Sequence, residues 1–571
     1  MRHSIGLKSF YVISGLFILY IILSFSSWDE PIMGDEVTYA LSIKGIADKS
    51  IMRYFIDNME SRFGIWHPPA YAHVVAFLGN FFGLNELTAR SVGIASFFIS
   101  IAMIYLIARE LFKDSDKRDA AASIACLIYA INPLAIRGSL LIDMDGTILN
   151  ACLLIFIYSL VGFGETGGKG PKIFLRGILF AVLLWIKFMT PLIFIATLFF
   201  YFLLRKDRAR ALYVLKAAAI GIFLFFGTWL WYCHANNRAV VDVLFVPLGA
   251  VTTFFGRNSS VKNWALSGRT VWALLLWCSP SFLLLAGLSL WRTFKKKAPE
   301  GALVSLNQLG FYGLSILIIC IFVGGVTHSF PKYHYAIVPI FSLLISDLAV
   351  RNLSLDKIFV RKVMIPLIFL ILYNIYFVKD PLYTINYALK EEIILRNGVS
   401  SYALITKEAF QILFLLSTIL LAYIFFLRSR AQKPFIRALF ITMLASNISL
   451  SLVQAAADYN TVYCYGAEGV REAAAFVRLK TDISAPAFSP GEILWLANEN
   501  LSSYILSGHL NDEGDFLKTV KDHNIECVVY GISGNTVNEY RNIFLKMDVQ
   551  KYLKERYDSY DIGSYTVWLK R

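Results

Sequence analysis

Apolar runs of near-spanning length recur along the chain. They are centred at residues 9–27, 90–108, 119–136, 146–163, 173–187, 189–204, 211–232, 270–291, 308–327, 333–350, 363–378, 408–427 and 435–453. A helix that crosses the hydrocarbon core needs about 20 mostly apolar residues. The pattern therefore predicts a polytopic α-helical membrane protein with about thirteen transmembrane helices. Basic residues collect in the linkers 109–118, 164–172, 205–210, 292–307, 351–362 and 428–434. An uncleaved signal anchor preceded by Arg2, His3 and Lys8 puts the N-terminus in the cytoplasm. Every clearly basic linker then falls on the cytoplasmic side, as the positive-inside rule requires. The stretch between Arg176 and Arg205 is too short for two full spans, yet both its flanks are basic. A re-entrant or half-height hairpin with Lys187 near its tip satisfies both constraints.

Four segments are left outside: the first loop 28–89, then 233–269, 379–407 and the tail from about Gln454. In the first loop, the stretch after Asp35 and the run Ala70–Phe82 read as amphipathic helices lying along the interface. The tail changes character. Helical patterns at 466–479, 513–523 and 536–556 alternate with strand-like runs at Tyr504–Ser507, Cys527–Tyr530 and Ser564–Leu569. It reads as a small extracytoplasmic α/β C-terminal domain. The expected division is a membrane domain over residues 1–453 and this second domain over 454–571.

Composition supports that class. Hydrophobic residues make up 57% of the 571 and charged residues 16%, with a mean hydropathy of +0.58. Soluble domains carry about 25% charged residues. The net charge of +14 resides in short clusters between apolar runs, which fits membrane topology and argues against a nucleic-acid partner. Seven cysteines are scattered without zinc-site spacing. Cys464 and Cys527, both in the tail, are candidates for a disulfide.

Four polar elements interrupt the apolar pattern at the outer face. Gly34-Asp35-Glu36 follows the first helix; taken alone, acids at a helix start need no function, because they complement the helix dipole. Trp66-His67-Pro68-Pro69 is a fixed turn that returns the chain to the interface, and on its own His67 reads as a polar lid. Arg137 and Asp143-Met144-Asp145-Gly146 lie at the outer ends of the third and fourth runs. Carboxylates there are costly unless solvated, paired or functional. Pro331-Lys332-Tyr333-His334-Tyr335 opens the tenth run, and Lys332 also reads as a snorkelling lysine. Topology brings Asp35, Glu36, His67, Asp143, Asp145, Lys187 and Lys332 to one face. Carboxylates opposite cations above a helical bundle suit a phosphorylated substrate and an acid–base step.

The Asp-Glu pair after the first helix, the His-Pro-Pro turn and the stretch from Phe82 to Arg90 resemble the GT-C glycosyltransferases. Within them, the chain is most similar to the branch of protein O-mannosyltransferases and the lipid A aminoarabinose transferase. Lys332-Tyr333 before Ala336-Ile337-Val338-Pro339 resembles a basic-Tyr-Pro element of that branch, and Trp185-Ile186-Lys187 resembles its helix-five lysine. The resemblance covers residues 10–350 well and the remainder loosely. Aminoarabinose transferases carry Lys at the position of His67, so it does not fix that activity.

The resemblance implies an inverting glycosyltransferase. It would move a sugar from a polyprenyl-phosphate-linked donor to a lipid, glycan or protein acceptor on the outer face of the plasma (inner) membrane. Asp35 matches the family's first-loop catalytic aspartate and is the candidate base. Glu36 would orient it or contact the acceptor, and the second acid is Asp143 or Asp145. The leaving phosphate calls for charge neutralisation, with His67, Arg137, Lys187, Lys332 and Tyr333 as candidates. Some members use a divalent metal and others do not; Asp35, Asp145 and His67 are candidate ligands. A transporter or lipid flippase is the competing class. It fits the helices and the outer cations, but it calls for internal repeats and midplane charges, which the sequence lacks. An anchored binding protein working through its tail leaves the first-loop pattern unexplained.

Overall fold

The structure, a computed structural model, describes residues 7–32, 35–49, 68–113, 115–161, 170–235, 270–295 (without 272 and 276), 304–323, 331–353, 365, 367–372, 375, 432–455, 469–481, 487–497, 504–505, 513–531 (all but the side chains of a few) and 543–571 (without 545 and 564). The expected span at 408–427, most of that at 363–378 and the outer segment 379–407 lie outside the described residues, as does nearly all of 233–269.

Helix α1 (Leu7–Ser24) leads out of the first apolar run. Helices α2 (Asp35–Lys49) and α3 (Ala70–Phe82) follow in the first loop, where the sequence places them. Helix α4 (Glu86–Leu111) has 26 residues, about 39 Å at 1.5 Å per residue. Asn85 caps it by accepting a hydrogen bond from the Thr88 N–H at 2.8 Å. Glu86 in its first turn and Arg109 in its last complement the helix dipole.

The third apolar run is broken where one helix was expected. Helix α5 (Arg118–Ala130) and helix α6 (Pro133–Leu140) meet at 61°. Pro133 brings no N–H to continue the ladder. The Asn132 side chain accepts from the N–H groups of Leu134 and Ala135 and so starts a new helix.

Helix α7 (Thr147–Val161) precedes α8 (Gly170–Ile186), α9 (Met189–Leu204) and α10 (Arg208–Ala235). The segment with Lys187 departs from the half-height hairpin the spacing suggests. Helix α8 begins six residues before Arg176, so α8 and α9, of 17 and 16 residues, each reach about 25 Å. Arg176 does not flank the helix. It is buried within it, its Nη2 donating to the Ser159 carbonyl at 2.7 Å and its Nη1 to the Tyr213 hydroxyl. A basic residue satisfied in this way no longer marks a helix end.

Helices α11 (Pro280–Lys295), α12 (Leu306–Val323), α13 (Ile337–Asn352) and α14 (Gln432–Ala455) complete the described apolar body. Helix α10 packs along α8 and α9, α4 along α5 and α7, and α13 against α5, α11 and α12. Helix α13 lies in the middle, with fifteen of its sixteen residues buried. Among the described residues, three helices are long and apolar enough to cross a membrane, and the bent α5–α6 pair would make a fourth. Five shorter apolar helices accompany them.

Beyond residue 468 the fold becomes mixed. Helices α15 (Val470–Lys480), α16 (Gly491–Ala497), α17 (Glu513–Asp522) and α18 (Met547–Arg556) flank a sheet. Its strands are β1 (Ala487–Ser489), β2 (Tyr504–Ile505), β3 (Cys527–Gly531), β4 (Tyr557–Ile562) and β5 (Tyr565–Lys570), in the order β2-β1-β3-β5-β4. The pairs β1–β2 and β1–β3 are parallel, and β3–β5 and β4–β5 antiparallel. Period-two alternation gives the sheet two buried faces. Cys527, Val529 and Val567 join the large core that continues into the membrane body. Val528, Trp568 and Phe488 join a second core with Phe516 and Leu553. Strands β1 and β4 were not legible: β1 is only three residues long, and β4 reads Tyr-Asp-Ser-Tyr-Asp-Ile, an edge strand facing solvent. Helix α16 rests on α2 of the first loop, and Arg471 reaches Asp29, donating to its carbonyl.

Candidate functional site

Three segments far apart in sequence interlock at one end of the bundle. They are α6, the turn over residues 141–146, and the short 3-10 turn Lys332–His334 with the residues after it. A Cβ on Gly138 would lie 2.2 Å from the Tyr335 ring, and one on Gly146 would lie 2.6 Å from the Gly138 carbonyl oxygen. Only glycine permits so close an approach. The Tyr335 hydroxyl donates to the Ala135 carbonyl at 2.8 Å, and the Asn150 amide donates to the Tyr335 carbonyl at 3.1 Å. The turn is held locally as well. The Asp143 carboxylate accepts from the Asp145 N–H at 2.9 Å, a side chain satisfying the backbone two residues on.

The charged groups converge on this scaffold. Lys332 Nζ pairs with Asp143 Oδ2 at 2.9 Å and lies 3.9 Å from Asp145 Oδ2. Lys187, between α8 and α9, pairs with the other oxygen of Asp145. Both ammonium groups face the ring of Tyr333, at 4.4 Å from its centroid for Lys187 and 5.5 Å for Lys332, within cation–π range. Asp143, Asp145, Lys187 and Lys332 are all buried. Two carboxylates and two ammonium groups thus form a neutral cluster around one aromatic ring, and the structure brings together these five residues named from the sequence.

Glu36 and Arg137 form ion pairs of their own. Glu36 is fully buried beside Arg90, at 3.2 Å, and its carboxylate also accepts from the Ile142 N–H at 3.1 Å. Arg90 donates further to the carbonyls of Leu140 and Glu30, at 2.7 and 2.6 Å. Arg137 pairs with Glu30 at 3.2 Å. Glu36 and Arg137 thus tie the first loop to the turn that carries Asp143. Glu30 and Arg90 were not singled out as site residues by sequence reasoning. A usable signal existed for Arg90, an ionisable residue four positions into a long apolar helix. Asp35 opens α2, one residue from Glu36. Its side chain lies outside the described residues, as does His67.

Among the described residues, no group of three or more His, Cys, Asp or Glu gathers into a metal-binding set. Of the candidate metal ligands Asp35, Asp145 and His67, only the Asp145 side chain lies among the described residues, where it is paired with Lys187. Cys527 carries a free thiol buried in β3, and the other half of the expected disulfide, Cys464, lies outside the described residues.

Residues 66–232 match the family model described as dolichyl-phosphate-mannose-protein mannosyltransferase. No curated protein sequence matches this one. The fold is similar to that of ArnT from Cupriavidus metallidurans bound to undecaprenyl phosphate, at a TM-score of 0.60 and 15% identity over 98% of this chain and 97% of that one. The apo state of the same protein is similar at 0.55, with 15% identity over 97% and 98%. The Archaeoglobus fulgidus oligosaccharyltransferase, in complex with Zn and sulfate, is similar at 0.50, with 13% identity over 98% and 73%. Family model and fold agree: residues 66–232 are similar to the mannosyltransferase family, and the chain as a whole has the multi-pass membrane fold seen in ArnT.

Proposed function

We propose that this chain is a glycosyltransferase that moves a sugar, with inversion, from a polyprenyl-phosphate-linked donor to a lipid, glycan or protein acceptor on the outer face of the plasma (inner) membrane. The observation that carries the reading is the approach of Lys187 and Lys332 to a single ring, that of Tyr333. A phosphate leaving group is weakly basic and needs its charge met more than it needs a proton. Two buried ammonium groups, oriented by Asp145 and Asp143 before the substrate arrives, supply that charge.

The reaction is a single displacement. The acceptor hydroxyl attacks the anomeric carbon, the carbon–oxygen bond to phosphate breaks, and the electron pair leaves with the phosphate. The acceptor proton passes to a carboxylate, for which Asp35 is the candidate. Glu36, anchored on Arg90 and on the Ile142 N–H, fixes the start of α2 next to the turn bearing Asp143. Arg137, anchored on Glu30, steadies α6 in the same way. In this reading these two residues position the site, and Lys187, Lys332 and Tyr333 engage the donor.

The same reading takes the full complement of about thirteen spans, a cytoplasmic N-terminus, and residues 454–571 as a domain outside the membrane. Contact between α16 and α2 supports a role for that domain in admitting the acceptor. Asp35→Asn tests the chemistry. A lost general base costs about 10²- to 10⁴-fold in rate, so transfer should fall by that range while donor binding and folding persist. Full transfer by the variant would remove Asp35 from the mechanism.

A further inference from the structure

One atom of the charged cluster has no hydrogen bond. The Asp145 side chain is 4% exposed, and its Oδ1 is held by Lys187. Its Oδ2 is buried and accepts no hydrogen bond among the described residues; the Lys332 ammonium, at 3.9 Å, is beyond hydrogen-bond reach. An ionised carboxylate oxygen left without a donor inside a protein is expensive, and a native fold tolerates it where something else supplies the donor. Asp143 differs in this respect. It accepts from Lys332 on one oxygen and from the Asp145 N–H on the other.

Position indicates what the missing donor is. In the reading above, Lys187 and Lys332 engage the donor phosphate. Asp145 is bonded to the first and lies beside the second, so its vacant oxygen lies next to the phosphate subsite. In a sugar phosphate, the group beside the phosphate is the anomeric carbon, and the hydroxyl beside that carbon is the one on C2. Resting on that reading of the site, we propose that Asp145 is a sugar-recognition residue whose Oδ2 accepts a hydrogen bond from the donor's C2 hydroxyl. The contact does more than select. As the phosphate departs, positive charge develops on the anomeric carbon, and a hydrogen bond from the adjacent hydroxyl to a carboxylate strengthens in that transition state. Asp145 takes no proton from the acceptor in this scheme, which leaves that task to a first-loop carboxylate.

The test compares lipids and variants in detergent. Purified wild type and Asp145→Asn are titrated with polyprenyl phosphate and with its mannose, glucose and 4-aminoarabinose conjugates. The sugar that binds is then supplied as its 2-deoxy counterpart for binding and transfer. In wild type, the deoxy donor should lose roughly 10- to 100-fold in kcat/KM, as expected for one hydrogen bond to a charged acceptor. In Asp145→Asn, where the remaining acceptor is a neutral amide oxygen, that penalty should shrink several-fold. The variant should bind sugar-free polyprenyl phosphate at least as tightly as wild type, because Lys187 is released from its carboxylate. A carboxylate that merely held Lys187 in place would instead weaken both lipids together. An equal deoxy penalty in both proteins overturns the assignment, as does loss of polyprenyl phosphate binding in the variant. The wild-type arm needs no folded variant: a deoxy donor transferred as fast as its parent overturns the assignment directly. Wild type binding none of the four lipids removes the transferase reading, and this assignment with it.

Discussion

Glu36 and Arg90 lie 54 positions apart and meet in a buried ion pair at 3.2 Å. The pair joins the start of α2 to α4, and through Ile142 and Leu140 to the turn that carries Asp143 and Asp145. A guanidinium can bridge three acceptors at fixed angles, whereas an ammonium cannot reproduce that fork. Arg90→Lys should therefore destabilise the protein by about 3 kcal/mol, the low end for a broken buried pair. Thermal unfolding in detergent measures this. An unshifted transition would show that Arg90 is not the tie between these segments.

Lys332 stands where charge is needed. Lys332→Ala removes the partner of Asp143 and leaves two carboxylates facing one ammonium. Binding of polyprenyl phosphate should weaken, and the transfer rate should fall by roughly 100-fold or more, the range seen when one preorganised charge-stabilising group is deleted. Lys332→Arg should recover part of the loss. Equal affinity for polyprenyl phosphate in wild type and Lys332→Ala would exclude this lysine from the donor site.

The two glycines of the scaffold should respond differently to alanine. At Gly138 the added methyl meets the Tyr335 side chain, and at Gly146 it meets the backbone carbonyl of Gly138. A side chain can rotate away more cheaply than a main chain can shift. Gly138→Ala should cost about 1–3 kcal/mol, the usual range for overpacking, and Gly146→Ala should cost more. Unfolding temperatures of the two variants, side by side, give the order. The reverse order would show that the turn at Asp143 is softer than its packing suggests.

Burial pushes the Cys527 thiol up to about 12, so at pH 8 only about one in ten thousand molecules carries the reactive thiolate. Native protein treated with a maleimide should leave Cys527 unmodified, as read by peptide mass spectrometry, and should label it fully once unfolded. Rapid labelling of the native protein at pH 8 would place this strand at the surface. Recovery of a Cys464–Cys527 linked peptide without reduction would show the pair to be oxidised.

The sequence alone determined the class of molecule. Helix-length apolar runs and the alternation of basic linkers are local quantities, readable from neighbours in the chain because the bilayer imposes the same length and charge rule on every crossing. Helices α3 and α7 were legible for that reason. Pairing was not. That Asp145 takes Lys187 while Asp143 takes Lys332 depends on how α8, α13 and the turn at 141–146 pack together. Contact distances of this kind are set by side-chain shape, not by spacing along the chain. The same limit hid the break at Pro133, because an apolar run has the same composition whether it is straight or bent by 61°. It also hid the pairing of Arg137 with Glu30 and of Glu36 with Arg90. A charge near a membrane boundary announces that it needs a partner; only the tertiary structure decides whether that partner is a ligand or another part of the protein.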